Sequence, residues 1–278
     1  MNDDSLPAQG ERSGARVLLT PKWIAGHLLA LALVLLFINF GFWQLRRLEQ
    51  RTKENDLVEA RMEAEPVRLS SLLEAVGPDT NGVRSADGGL EELAYRRAFV
   101  AGTFAPEQEI LLRSRSRDGQ PGWHLLTPLV RSDGSAVLVD RGWVPRALDE
   151  PPVEEAAPPA GQVRAEGIVR LEEDPPEGWA ASISPRDPPE GELERAYYVD
   201  VDRLAPQYPF DVAPVYLQLT ALEPPHPERL PLLPQQPEFS RGPHLSYAVQ
   251  WFSFALIGLV GYAILLRRTL REPTPGGE

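Results

Sequence analysis

The sequence predicts a membrane protein in which two transmembrane α-helices flank a mainly β domain, an antiparallel barrel or sandwich. Three observations carry that reading. Residues 23–43 and 247–266 are apolar and free of Asp, Glu, Lys and Arg, the 203 residues between them (44–246) have an ordinary soluble composition, and short β-rich runs separated by turn residues begin at position 98. At about 1.5 Å per residue, 20 residues form roughly 30 Å of helix, which matches the hydrocarbon thickness of a bilayer. A helix lying on a soluble core would keep a polar face, and neither segment has one. Two crossings put the tails, 1–22 and 267–278, on one side and the central domain on the other.

The first span carries Trp23, Phe40, Phe42 and Trp43 at its ends, as interfacial aromatic belts do. A cleaved signal peptide fits poorly, because Phe40-Gly41-Phe42-Trp43-Gln44 leads into Arg46 and Arg47 and not into a small-residue cleavage site. Residues 44–62 continue as a charged, helix-favouring stalk, 70–76 suit one short helix, and the Gly/Asp/Asn-rich stretch 77–89 suits a loop. Seven strands are expected at 98–104, 109–114, 123–130, 136–144, 162–171, 196–201 and 212–220. Asp118-Gly119, Pro121-Gly122 and Asp133-Gly134 mark hairpin loops between them. No long amphipathic helix intervenes, which argues against βαβ units. The Pro/Glu-rich stretches 148–161 and 174–191 read as exposed inserts. Residues 223–243, with seven Pro, read as an extended strap to the second span. That span has Tyr247, Trp251, Phe252 and Tyr262 for its aromatic belts, and its row of Ala255, Gly258 and Gly261 permits close helix approach.

Composition removes several function classes. The region 44–246 holds 22 Lys+Arg and 35 Asp+Glu, a formal charge of 22 − 35 = −13 against −12 for the whole chain, which makes nucleic acid an unfavourable partner. The chain has no Cys, so disulfides, thiolate catalysis, iron–sulfur ligation and covalent CxxCH haem attachment are excluded. With His only at 27, 124, 226 and 244, a protein-built transition-metal cage is disfavoured. No HExxH, GxSxG, P-loop or GxGxxG is present, and no nucleophile, base and orienter set stands out, so no catalytic residue is named and a non-enzyme is expected. Positive charge leaves orientation open, with Arg12, Arg16 and Lys22 before the first span against Arg46, Arg47, Arg51, Lys53 and Arg61 after it.

Four stretches together resemble the surfeit locus protein 1 family of cytochrome c oxidase assembly proteins. They are Gly41-Phe42-Trp43-Gln44-Leu45-Arg46-Arg47, Tyr95-Arg96-Arg97 with Gly102-Thr103-Phe104, residues 137–145 (VLVDRGWVP), and His244-Leu245-Ser246-Tyr247-Ala248 with Trp251-Phe252. The resemblance implies a non-enzymatic assembly factor of the cell (inner or plasma) membrane, with both termini cytoplasmic and the central domain extracytoplasmic. It also implies transient, non-covalent binding of haem a and its insertion into oxidase subunit I, with the haem a synthase as a further partner. The alternative is a haem-free scaffold that stabilises subunit I. The family pattern has Asn before the last His where this chain has Pro243, which predicts a missing hydrogen bond to that His.

By this resemblance His244 is the candidate axial ligand of the haem iron, beside Tyr247 and Trp251 at the membrane interface. In an antiparallel hairpin its level is matched by Trp43, Gln44, Arg46 and Arg47. These offer aromatic surface for a porphyrin and guanidinium groups for its propionates, or merely interfacial anchoring. His27 lies 17 residues from Gln44, about 25 Å along a helix, and so at the opposite face of the bilayer. Within Arg141-Gly142-Trp143, Gly142 is expected to form a bulge and Trp143 to cap the core, while His124 and His226 have no expected role.

Overall fold

The computed structural model describes residues 18–76, 89–173, 175–176, 178–236 and 239–271. Most of both tails, and the loop expected at 77–89 apart from Gly89, lie outside the described residues. The chain divides into two compact units, one of residues 1–56 with 239–278 and one of residues 57–238. Among the described residues the α-helices are α1 (Pro21–Glu63), α2 (Leu69–Val76), α3 (Val201–Leu204) and α4 (His244–Arg271). The strands are β1 (Val67–Arg68), β2 (Arg97–Phe104), β3 (Ile110–Arg117), β4 (Gln120–Val130), β5 (Ala136–Pro145), β6 (Gln162–Arg170), β7 (Arg195–Ala196) and β8 (Val212–Glu223).

In the first unit α1 and α4 pack as an antiparallel hairpin. Each is long and apolar enough to cross a membrane, and only 6% of its apolar window is buried, so neither is covered as the core helix of a soluble protein would be. α1 runs unbroken from the first apolar segment through the expected stalk, because no Pro or Gly interrupts residues 42–62. The close approach of the helices is set by small residues. A Cβ at Gly41 would lie 2.5 Å from the Phe252 ring, and Ala248 and Ala255 are buried on the facing side of α4.

The second unit is mostly sheet, with strand order β1-β2-β6-β8-β5-β4-β3-β7. Thr103 and Phe104 also pair with Val130 and Leu129, so β2, β6, β8, β5 and β4 form a closed circuit of hydrogen-bonded neighbours. Most pairings are antiparallel as expected, but β5–β8, β1–β2 and β3–β7 are parallel. The reason at β8 is its late insertion between β6 and β5 after the long 174–211 excursion, which returns the chain in the direction of β5. β5 is buried at nine of its ten positions because core lies on both faces. Val137 and Val139 join the cluster containing Leu69, Val100 and Leu217, while Leu138 joins the one containing Ile110, Leu204 and Tyr216.

Four expectations are corrected. The strand expected at 196–201 is only Arg195–Ala196, because Asp200 accepts from the Arg203 backbone N–H at 2.9 Å and caps α3. A strand absent from the sequence reading, β1, pairs with β2. The insert 148–161 is not simply exposed, since Val153 and Ala156 are buried against Leu111, Leu125 and Val144. The strap at 223–243 begins within β8 and is anchored by reciprocal backbone bonds between Trp143 and Leu232. Gly142 does form the expected bulge, with Arg141 and Gly142 set against the single residue Leu125 on β4. Its φ is +124°, and a Cβ there would fall 2.1 Å from the Leu232 carbonyl oxygen.

Candidate functional site

Aromatic pairs fix the register of the hairpin. The Phe37 ring stacks on Trp251 at 5.7 Å, Phe40 meets Trp251 at 5.0 Å, and Phe42 meets Phe252 edge-on at 5.4 Å. At one end His27 hydrogen-bonds the Tyr262 hydroxyl through Nδ1 and the Leu18 carbonyl through Nε2 at 3.1 Å. At the other end His244, the first residue of α4, lies beside Gln44. His27 and His244 therefore occupy opposite ends of the hairpin, and both ring nitrogens of His27 are engaged.

The His244 Nδ1 to Gln44 Oε1 distance is 2.8 Å, and Gln44 is one of two buried residues on α1. In the tautomer in which Nδ1 donates to this amide oxygen, the Nε2 lone pair is left for another partner. With Pro243 before it, the ring has Gln44 on α1 as its Nδ1 partner. Gly242, at φ +67°, keeps the backbone beside the ring, and a Cβ there would lie 3.3 Å from both Cδ2 and Nε2. The turn before α4 is tied by Ser246 Oγ donating to the Pro243 carbonyl at 2.7 Å and by Asn55 Nδ2 donating to the Ser240 carbonyl at 3.3 Å.

The other sequence candidates divide by their angle on the helix. Trp251 points into the hairpin against Phe37 and Phe40, whereas Trp43 and Tyr247 are exposed. Arg47 lies about 60° around α1 from Gln44 and donates to Gln50 Oε1 at 3.4 Å. Arg46 is about 200° around from Gln44, on the face turned away from α4. His244, Gln44 and Trp251 are brought to one seam, Trp43, Tyr247 and Arg47 flank it, and Arg46 does not face it.

The sheet unit contains a polar constellation that the sequence reading did not single out. Arg141 is fully buried, donating through Nε to Thr127 Oγ1 at 2.8 Å, through Nη1 to the Ala156 carbonyl at 2.6 Å and through Nη2 to Glu109, with its guanidinium 5.7 Å from the centre of the Phe104 ring. Glu109 also accepts from Thr127 Oγ1 at 2.6 Å and from the Val153 backbone N–H at 3.1 Å. Burial pushes the Arg141 guanidinium pKa down while the Glu109 charge opposes that. On the other side of β5, His124 Nδ1 meets Asp140 Oδ2 at 2.9 Å, and Asp140 Oδ1 accepts from the Gly142 N–H at 3.0 Å. His124 is therefore held by a hydrogen-bonding contact with Asp140. The available signal is Glu109 heading the apolar run Ile110-Leu111-Leu112 and the adjacent pair Asp140-Arg141 following the apolar run Val137-Leu138-Val139. These groups bind together β3, β4, β5 and the 148–161 insert.

Comparison with known proteins bears on the hairpin as well as the sheet. The sequence profile described as "SURF1 family" matches residues 31–256, which includes both hairpin motifs. The chain belongs to the SURF1 family. It is 28% identical over 249 residues to an uncharacterized SURF1-like protein of Mycobacterium tuberculosis, covering 88% of this chain and 83% of that one. It is 31% identical over 253 residues to a SURF1-like protein of Monosiga brevicollis, covering 85% and 88%. It is also 31% identical over 144 residues to the cytochrome oxidase assembly protein SHY1 of Saccharomyces cerevisiae, covering 51% of this chain and 31% of that one. The SURF1 match spans Gly41–Arg47 and His244–Phe252, so the seam carrying Gln44 and His244 lies inside the family's shared region.

Proposed function

We propose that this chain is a non-enzymatic assembly factor for cytochrome c oxidase that holds haem a at the Gln44–His244 seam and assists its insertion into subunit I. Family membership and the similarity to the yeast assembly protein support the assembly role. The observation that carries the haem reading is the hydrogen bond from His244 Nδ1 to Gln44, which leaves Nε2 as a ready axial donor. α1 and α4 cross the membrane, both termini are cytoplasmic, and the sheet unit is extracytoplasmic, folded as a closed barrel through the β2–β4 pairing.

Haem a is cargo in this reading. Its iron accepts one imidazole, Trp43 and Tyr247 offer exposed aromatic surface to the porphyrin, and Arg47 is the guanidinium placed to meet a propionate. Trp251 works from within, packing on Phe37 and Phe40 to hold the first turn of α4 in register. One neutral ligand without a covalent link suits uptake from the haem a synthase and release to the oxidase. The test is to purify the chain from cells that make haem a and compare it with His244→Ala. A haem a spectrum that is lost in the variant supports the reading. A Soret band unchanged by the substitution removes His244, and an oxidase-associated chain without any haem leaves the scaffold.

A further inference from the structure

Among the described residues the most exposed large apolar side chain is Trp179, at 80%, on a 3-10 turn (Gly178–Ser182) of the 174–191 insert, with Ile183 at 71% four residues on. Exposed apolar residues on α1 and α4 have the bilayer to cover them. In the sheet unit only Leu57 and Leu233 share the class of exposed large hydrophobics among the described residues, and both are less exposed. The turn is locally braced, with Ser182 Oγ donating to the Trp179 carbonyl at 2.6 Å. The insert is tied to the sheet at its far end, where the Asp187 carboxylate accepts from the Tyr197 backbone N–H at 2.9 Å.

The charge around this tip decides what covers it. In sequence, residues 172–192 contain seven Asp or Glu and one basic residue, Arg186, and the insert stays net acidic although Glu173 pairs with Arg115 at 2.6 Å. Glu190 and Glu192 are exposed on the flank. An apolar anchor amid such charge is repelled by the anionic headgroups that attract basic interfacial segments, and a second copy of the insert would repel it too. It complements an apolar pocket rimmed by Lys or Arg on a protein, since Trp is the residue type most enriched at interface hot spots.

We propose that Trp179 and Ile183 form a docking tip for a basic-rimmed apolar pocket on a component of the oxidase being assembled. This rests on the assembly reading above and is independent of haem binding at His244. The chain lacks Cys, so a polarity-sensitive fluorophore on Pro185→Cys, an exposed position two residues beyond Ile183, reports on the tip alone with both anchors intact. With the full chain in nanodiscs of either zwitterionic or anionic lipid, the label reads as water-exposed, and addition of detergent-solubilised oxidase buries it. Trp179→Asp and Ile183→Asp, both at exposed positions that leave the melting curve unchanged, weaken oxidase association about tenfold or more, and raised salt weakens it in the unsubstituted chain. Burial of the label by lipid alone, or by concentrating the chain alone, overturns the proposal. So does oxidase association undiminished by Trp179→Asp. Failure of the unsubstituted chain to associate with the oxidase overturns the assembly reading and this proposal together.

Discussion

Replacing Arg141 by Met tests what holds the sheet unit together. The substitution keeps an unbranched side chain of similar length but removes three hydrogen bonds, to Thr127, Ala156 and Glu109, and the contact with Phe104. It also strands the Glu109 carboxylate, whose side chain has no exposure. Breaking one side of a buried ion pair costs about 3–5 kcal/mol, because the remaining charge is left in a poor solvent. For a unit of residues 57–238, each kcal/mol moves the melting temperature by about 2–4 °C, so Arg141→Met should lower it by roughly 6–20 °C. Adding Glu109→Gln removes the stranded charge while the amide oxygen still accepts from Val153 N–H, and the double variant should recover part of the loss. Thermal and urea unfolding of the full chain, followed by circular dichroism, reads both effects. Arg141→Met within about 1 kcal/mol of the parent, or a double variant as unstable as the two single losses summed, refutes the reasoning.

Three further outcomes follow from the geometry. His226 has both ring nitrogens buried without a partner, and burial, together with the Arg141 charge, lowers its pKa from 6.5 to about 4. The unfolded chain takes up a proton near pH 6.5 that the folded chain refuses, so His226 favours folding fully above that pH and the contribution is lost as pH falls toward about 4. His226→Leu should flatten that slope in urea midpoints measured between pH 7.5 and 5. Gly142→Ala costs about 1–3 kcal/mol for the φ of +124° and more for the collision with Leu232, and protease cleavage at Arg229 in the strap should rise. Gln44→Leu frees the His244 tautomer and should weaken haem retention by about 10–100-fold, measured by haem titration, with the helices intact by circular dichroism.

The hairpin was legible because the constraint on it is one-dimensional. A run such as 23–43 declares itself by length and lack of charge, and antiparallel pairing then brings residues near 44 to the level of 244 without further information. The rotation about each helix is not legible from that argument, which sets Arg46 at the level of Gln44 although it turns away. β-Branched and aromatic runs mark most strands, but Tyr197, Tyr198 and Val199, with their high strand propensity, extend the expected strand beyond β7. The Asp200 cap on α3 and the Asp187 carboxylate on the Tyr197 N–H end the strand instead. The parallel placement of β8 and the burial of Arg141 both depend on contacts between distant segments. Neither leaves a periodic trace in the sequence.

The most direct measurement of the assembly role is the reduced-minus-oxidised spectrum of membranes from a strain lacking this chain, with the chain and its His244→Ala variant returned separately. The account predicts loss of most haem a absorbance and of cytochrome c oxidase activity in the deletion, restoration by the parent chain, and poor restoration by His244→Ala expressed at the same level. A deletion strain with a full complement of spectrally normal, active oxidase would contradict it.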